Sequence, residues 1–211
     1  IMANSYESRE SHQIVRPHPL IKSINDSNSH STVRLHENKD SKALEIHLAY
    51  KPELQIKPAI AIWAESKSGS LIETLYLSPE LAYSEEVNWQ GIKTTRSKIL
   101  PIWRQRYTLL TGIDPEGKLD IMTGATSSHT FSLKKYLKTD SDEYSIFLEI
   151  NIPGDPNKHW THADMGQPSI IYSTYVNHHE SQQYKLLELT AHSGLGEHNK
   201  HGSMNYDLSS L

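Results

Sequence analysis

The sequence predicts an all-β fold, an antiparallel β-sandwich that follows a polar N-terminal arm. About seven segments alternate apolar and polar residues with the period of two that half-buried strands show. Short stretches rich in Gly, Pro, Asn and Ser separate these segments, as turns do. A convincing helical period is almost absent, which favours two packed antiparallel sheets.

The polar arm is predicted over residues 1–42. Ser, Asn, His and Asp dominate this stretch, and it offers too little apolar surface to fold by itself. We therefore expect an extended or disordered arm over residues 1–42 and a β-sandwich domain over residues 43–211.

The first strands come from alternating and apolar runs. Ser66-Lys67-Ser68-Gly69 predicts a hairpin turn between two of them, because glycine adopts positive φ without steric cost. The predicted strands are Leu44–Tyr50, Pro58–Glu65 and Leu71–Leu77.

Two later segments carry weaker helical signals. Pro79 to Trp89 predicts a short helix, since Ser78 can cap it and proline suits its first turn. Ile99 to Leu110 fits either a helix or an irregular segment, and the pattern alone leaves both open.

The second half of the chain returns to the period of two. Pro153 to Asn157 and Gly194 to Gly202 are predicted loops. The predicted strands are Phe131–Leu137, Tyr144–Ile152, Pro168–Asn177, Tyr184–His192 and a short terminal one within Ser203–Leu211.

Composition excludes several classes of function. The 211 residues contain no cysteine, which excludes disulfides, iron–sulfur clusters and thiolate zinc sites. The net charge of -4 gives no basic footprint for nucleic acid. No apolar run approaches the roughly 20 residues that span a bilayer, so membrane contact would be peripheral at most.

The most informative motif is Asp120-Ile121-Met122-Thr123-Gly124-Ala125-Thr126, which has the form D-x-x-T-G-A-T. It resembles the attachment site of FMN-binding domains in sodium-pumping and electron-bifurcating membrane complexes. That resemblance implies a phosphoester between the flavin and Thr126. It also implies a role for Asp120 in binding the metal or the transferase during attachment, with Gly124 and Ala125 keeping the loop small.

Four segments together resemble an uncharacterised family of predicted periplasmic proteins. They are Ala59–Leu77, Leu100–Tyr107, Asp120–Thr126 and Gly166–Tyr172. The resemblance implies an immunoglobulin-like sandwich similar to the C-terminal module of flagellar hook-capping proteins. It also implies a periplasmic location, with a membrane redox protein and a flavin transferase as partners. The chain starts at Ile1 without the charged and apolar segments of a signal peptide, so we expect either a cytosolic protein or an exported one whose signal peptide has been removed.

Attachment of a phosphate to threonine requires an accessible hydroxyl on a loop. Thr126 precedes Ser127 and Ser128 at a predicted loop-to-strand junction, and small residues let a phosphate approach backbone N–H groups. The flavin ring would need aromatic cover, for which Trp103, Tyr107 and Trp160 are candidates. The alternative is an ordinary turn in which Thr and Ser bond their own backbone.

The 13 histidines raise the question of a divalent metal. His159, His162 and Asp164 lie close in sequence, His178 and His179 are adjacent, and three more histidines lie at His192, His198 and His201. A site built from His129, His162 and His192 would suit zinc, copper or nickel. The alternative is solvated loop histidines, because the spacing matches no standard metal motif.

Other catalytic patterns have little support. Arg104 and Arg106 could present cations to a phosphate or carboxylate, or could be solvated beside packed aromatics. No G-x-S-x-G elbow, Walker loop or G-x-G-x-x-G is present, so hydrolase and dinucleotide chemistry have no motif here. The sequence leaves open whether the chain is an enzyme. Three hypotheses remain: an exported redox accessory carrying covalent FMN, a non-catalytic binding or structural module, and a periplasmic metal-binding protein.

Overall fold

Antiparallel strands make up most of the fold. A computed structural model of the chain describes residues 31–38, 41–49, 56–89, 91–112, 119, 130–137, 139–161, 166–180, 184–194 and 201–211. Within these ranges the strands form two main antiparallel sheets and one small hairpin, and helices lie against one sheet. The predicted all-β antiparallel sandwich is confirmed, while its immunoglobulin-like form stays a prediction.

Each of the two main sheets brings together strands that are far apart in the chain. Sheet A contains, side by side, β10 (Tyr184–Leu186), β1 (Ser31–Asn38), β2 (Ser41–Ala49) and β7 (Thr130–Tyr136). Sheet B contains β11 (Glu188–His192), β9 (Ile170–Asn177), β8 (Glu143–Asn151), β3 (Ala59–Ser66) and β4 (Leu71–Leu77). The small hairpin joins β5 (Glu86–Trp89) to β6 (Ile92–Thr95). The helices are α1 (Pro79–Tyr83), α2 (Arg96–Ile99) and α3 (Pro101–Thr111), with a 3-10 turn at Leu208–Ser210.

Strand β3 of sheet B is buried on both faces. Ile60 and Ile62 belong to the apolar cluster between the two sheets. Ala61 and Trp63 belong to a second cluster, shared with the helices on the other face. Because neighbouring side chains of a strand point to opposite faces, a strand covered on both sides must be apolar at nearly every position.

The segment Ile99–Leu110, which the sequence pattern left as either a helix or an irregular segment, is helical: most of it belongs to α3. Pro101 supplies its first turn, where a missing N–H costs nothing. Gly112 ends it at φ 70° and donates its N–H to the Thr108 carbonyl at 2.8 Å. Its buried residues Ile102 and Trp103 pack in the second cluster, and this tertiary packing stabilises so short a helix.

The helix predicted from Pro79 to Trp89 is wrong in its second half. The helix ends at Tyr83, and Glu86 to Trp89 form strand β5. Ser78 also makes no side-chain cap hydrogen bond. Its hydroxyl instead accepts the Ile60 N–H at 2.8 Å, because the neighbouring strand β3 offers a buried donor.

Three further elements differ from the sequence pattern. Strand β1 lies within the segment predicted as an extended arm. Its backbone pairs with β2 along its whole length and with β10 at Thr32–Arg34, and these pairings hold a polar segment in the sheet. The single strand predicted over Tyr184–His192 is two strands in different sheets. The chain changes sheet at the buried Leu187, which packs between them. The predicted terminal strand is reduced to a bridge between His192 and Asn205.

Candidate functional site

The D-x-x-T-G-A-T motif lies outside the described residues, which include Leu119 before it and resume at Thr130 after it. Asp120, Thr123, Gly124, Ala125 and Thr126 follow directly after Leu119. Leu119 is buried in the cluster under the helices and donates its N–H to the Ala82 carbonyl of α1 at 2.8 Å. At the other end, Thr130 opens strand β7 opposite Ala49. The residue that precedes the motif is therefore held on α1.

A cleft of about 340 Å³ lies beside the same helix. This size falls within the range of roughly 300–1,000 Å³ that small-molecule sites occupy. We call it the α1 cleft. It is lined by Lys57, Pro58, Ala59, Ser78, Glu80, Leu81, Val87, Asn88, Trp89 and Gly91.

The α1 cleft combines an apolar floor with a polar rim. Leu81 and Trp89 are buried and belong to the cluster that also holds Leu119. Lys57, Glu80 and Asn88 are exposed and carry one cation, one anion and one amide. A pocket of this kind suits a ligand with an apolar body and a hydrogen-bonding edge.

The aromatic residues predicted to cover a flavin are used elsewhere. Trp103 is fully buried, donates its indole N–H to Thr74 Oγ1 at 3.0 Å and lies 5.6 Å from the ring of Tyr107. Trp160 donates to the Ser210 carbonyl at 3.1 Å and stands edge-on to His192. None of the three lines the α1 cleft, whose aromatic residue is Trp89. Sequence reasoning missed Trp89 because it placed this residue at the end of a helix.

Arg106 is committed to the fold rather than free to bind an anion. Its Nε donates to Glu65 Oε1 at 2.9 Å, and Glu65 is almost wholly buried. The same carboxylate oxygen accepts the Trp63 indole N–H at 2.7 Å. A buried carboxylate needs such partners, so the arginine compensates a charge inside the protein.

His192 is the one member of the predicted metal site among the described residues. It is 1% exposed. Its Nδ1 accepts the Gly194 N–H at 3.0 Å, and its Nε2 lies 2.9 Å from the Asp207 carbonyl oxygen, to which it donates. These partners fix the neutral form with the proton on Nε2. Burial also lowers the pKa of His192. Both ring nitrogens are thus occupied, and a metal would have to displace one of these bonds.

The adjacent residues His178 and His179 each contact another side chain. His178 Nε2 lies 2.8 Å from the Tyr144 hydroxyl, and His179 pairs with Asp142 at 3.1 Å. His129 and His162 lie outside the described residues. Within the described part of the chain, no three His, Asp or Glu side chains are grouped to hold a metal. The metal hypothesis stays a prediction that elemental analysis of dialysed protein, with His162→Ala and His192→Ala as controls, would test.

A contact among Ser132, His47 and Glu45 resembles a hydrolytic triad only in its residue types. Ser132 Oγ lies 2.6 Å from His47 Nδ1, and His47 Nε2 lies 3.2 Å from Glu45 Oε1. Ser132 and His47 are directly opposed on β7 and β2, and Ser132 is exposed. Leu44 and Ile46 point into the core, so Glu45 and His47 occupy the opposite, outer face of sheet A. This is the geometry of a cross-strand pair.

Two buried carboxyl groups that the sequence pattern did not single out organise the region beside α3. Glu149 accepts the Trp103 N–H at 2.7 Å, the Ile102 N–H at 3.2 Å and the Ser169 hydroxyl at 2.5 Å. It therefore satisfies the first turn of α3 from strand β8. Burial raises the pKa of Glu149 to about 7.

Asp155 plays a similar part in the loop after β8. Its Oδ1 accepts the Gln167 N–H at 3.0 Å, and burial raises its pKa to about 7. Gly166 adopts φ 94°, and a Cβ on it would lie 2.4 Å from Asp155 Oδ1. The segment Gly166–Ser169 is thus shaped around two acids. Gly166 has to be glycine because of this approach.

Comparisons with protein-family models, curated proteins and solved structures found no match to this chain. The resemblances drawn from the sequence therefore stay predictions. Among the helices of the described residues, none has the length and apolar character needed to cross a bilayer.

Proposed function

We propose that this protein carries FMN covalently through a phosphoester on Thr126 and acts as an extracytoplasmic electron carrier for a membrane redox system. The observation that carries the proposal is the D-x-x-T-G-A-T motif at Asp120–Thr126. Its support from the fold is the position of Leu119, whose N–H is bonded to α1 beside a cleft of ligand size.

In this proposal the flavin performs the redox chemistry and the protein supplies placement and shielding. A flavin transferase would deliver the flavin as its adenine dinucleotide. The Thr126 oxygen would lose its proton and bond the phosphorus next to the riboflavin part, while the pyrophosphate bond breaks and AMP leaves. The membrane redox protein would then exchange electrons with the attached ring. No substrate pocket beyond the ring's own site is required.

Intact-mass measurement of protein co-produced with a flavin transferase tests the proposal. We expect one FMN residue of added mass on the unaltered chain and none on Thr126→Ala. Ser128→Ala is the matched control, since it removes a neighbouring hydroxyl outside the motif and should keep the flavin. An unmodified mass with active transferase, or flavin retained in Thr126→Ala, would contradict the proposal.

A second candidate is a non-catalytic binding or structural module. The observation in its favour is that Glu149, Asp155 and His192, three buried titratable groups, are engaged in hydrogen bonds that shape the fold. A sandwich of this kind can serve as a docking surface, and fold alone assigns no activity. An unmodified mass in the experiment above would favour this candidate.

A further inference from the structure

We infer that the α1 cleft is the docking site for the isoalloxazine ring of the flavin. This rests on the proposed function and adds to it the place where the ring is held. The ring would lie among described residues of α1, β3 and β5, and none of the aromatic residues expected from the sequence to cover it takes part.

The number of residues between Leu119 and Thr126 sets how far a ring attached to Thr126 can reach. Ala82, which accepts the Leu119 N–H, directly follows Leu81 in the wall of the cleft. Thr126 comes seven positions after Leu119, since 126 minus 119 is 7. Seven residues span at most about 24 Å when fully extended. A ring tethered at Thr126 can therefore return to α1.

The lining of the α1 cleft matches the chemistry of the isoalloxazine ring. The isoalloxazine ring is planar, with an apolar dimethylbenzene edge and a pyrimidine edge that carries carbonyl oxygens and an N–H. The cleft offers Leu81, Val87 and Trp89 to the apolar edge. Lys57 and Asn88, at the exposed rim, offer donors to the carbonyl oxygens. A cleft with these two sides orients the ring as well as binding it.

The other three tryptophans are already engaged in contacts within the fold. Trp63 stacks on Phe147 at 5.4 Å, and Trp103 and Trp160 both donate their indole N–H groups within the fold. Trp89 is the tryptophan that lines the cleft, and 7% of its surface is exposed. A flavin against a tryptophan loses fluorescence, which gives a direct readout.

Riboflavin titrated into the unmodified chain isolates the ring site, because riboflavin has no phosphate and cannot be joined to Thr126. We expect the protein to quench riboflavin fluorescence to saturation. Asn88→Trp fills the cleft from an exposed position and should weaken binding about tenfold or more, the scale of losing one ring contact. Ser68→Trp is the control: Ser68 is exposed in the turn between β3 and β4, at the opposite end of β3 from Ala59, and it does not line the cleft.

Asn88→Ala is the second variant, because it cannot overfill the hairpin, and it should weaken binding several-fold by removing the rim amide. Equal affinity in the unaltered chain, Asn88→Trp and Asn88→Ala, or no saturable quenching, would overturn the inference. Intact mass judges attachment separately. If the chain is modified but quenching does not depend on the cleft, the proposed function stands and the docking site is wrong. If riboflavin binds in the cleft but no flavin is attached, the docking site stands and the proposed function is wrong.

Discussion

Glu149→Gln tests whether burial or hydrogen bonding controls the charge of the acid beneath helix α3. The substitution keeps the size of the side chain and removes its titration. Three donors reach the Glu149 carboxyl, which favours the charged form, whereas complete burial favours the neutral form. Burial is the larger effect, since the pKa of Glu149 is raised to about 7 from its ordinary value of 4.5.

The sign of the pH effect follows from that pKa. Between pH 4.5 and about 7 the folded protein keeps a proton that the unfolded chain has lost. The contribution of Glu149 to the free energy of unfolding therefore falls as pH rises through this window and is lost above it. The pKa difference between about 7 and 4.5 corresponds to about 3 kcal/mol.

Urea unfolding followed by tryptophan fluorescence at several pH values between 4 and 8 measures the effect. Subtracting the unfolding free energy of Glu149→Gln from that of the unaltered chain cancels most other titrations, including that of Asp155, which has the same sign. We expect this difference to fall by about 3 kcal/mol from pH 4 to pH 8. Glu143→Gln, on the same strand but partly exposed, is the control and should show no such fall. A difference that stays flat or rises with pH would refute the dominance of burial.

Two further predictions concern the loop acid and the buried histidine. Gly166→Ala should destabilise the fold by ~2–4 kcal/mol, because φ 94° strains alanine and its Cβ would meet Asp155 Oδ1 at 2.4 Å. Gly154→Ala, at φ 67° with open space around its Cβ, should cost only about 1 kcal/mol, and equal losses in urea unfolding would refute the steric argument. Burial lowers the pKa of His192 below 6.5, so the unfolded chain gains a proton first as pH falls and stability is lost below pH 6.5. His192→Gln should abolish that part of the acid dependence in melts between pH 7 and 5; an unchanged slope would show that His192 does not titrate on unfolding.

Much of the fold was predictable because strand signals are local. The alternation in Leu44–Tyr50 and the apolar run Tyr144–Ile152 depend only on neighbouring residues, and both form strands close to the predicted bounds. The turn at Ser66–Gly69 was equally predictable, since Gly69 adopts φ 80°. These features need no knowledge of distant contacts.

The errors lie where a distant partner decides. Ser78 looked like a helix cap, but strand β3 offers its hydroxyl a buried N–H 18 positions earlier. The pattern placed Leu187 in the middle of one strand, but the residues before it pair in sheet A and those after it pair in sheet B. The candidate site shows the same limit. Trp89 lines the α1 cleft because β5 pairs with β6. The sequence pattern predicted a helix there, so this pairing was not expected.

By itself, the sequence determined the sandwich, most of its strands and the D-x-x-T-G-A-T motif on which the proposed function rests, because each is written in neighbouring residues. Only the tertiary structure decided that Glu149 supports helix α3 from a position 46 residues away, and that Leu119 and Trp89 belong to one apolar cluster. The physical reason is that burial and hydrogen-bond partners are set by which surfaces pack together, and that choice is made by the whole chain.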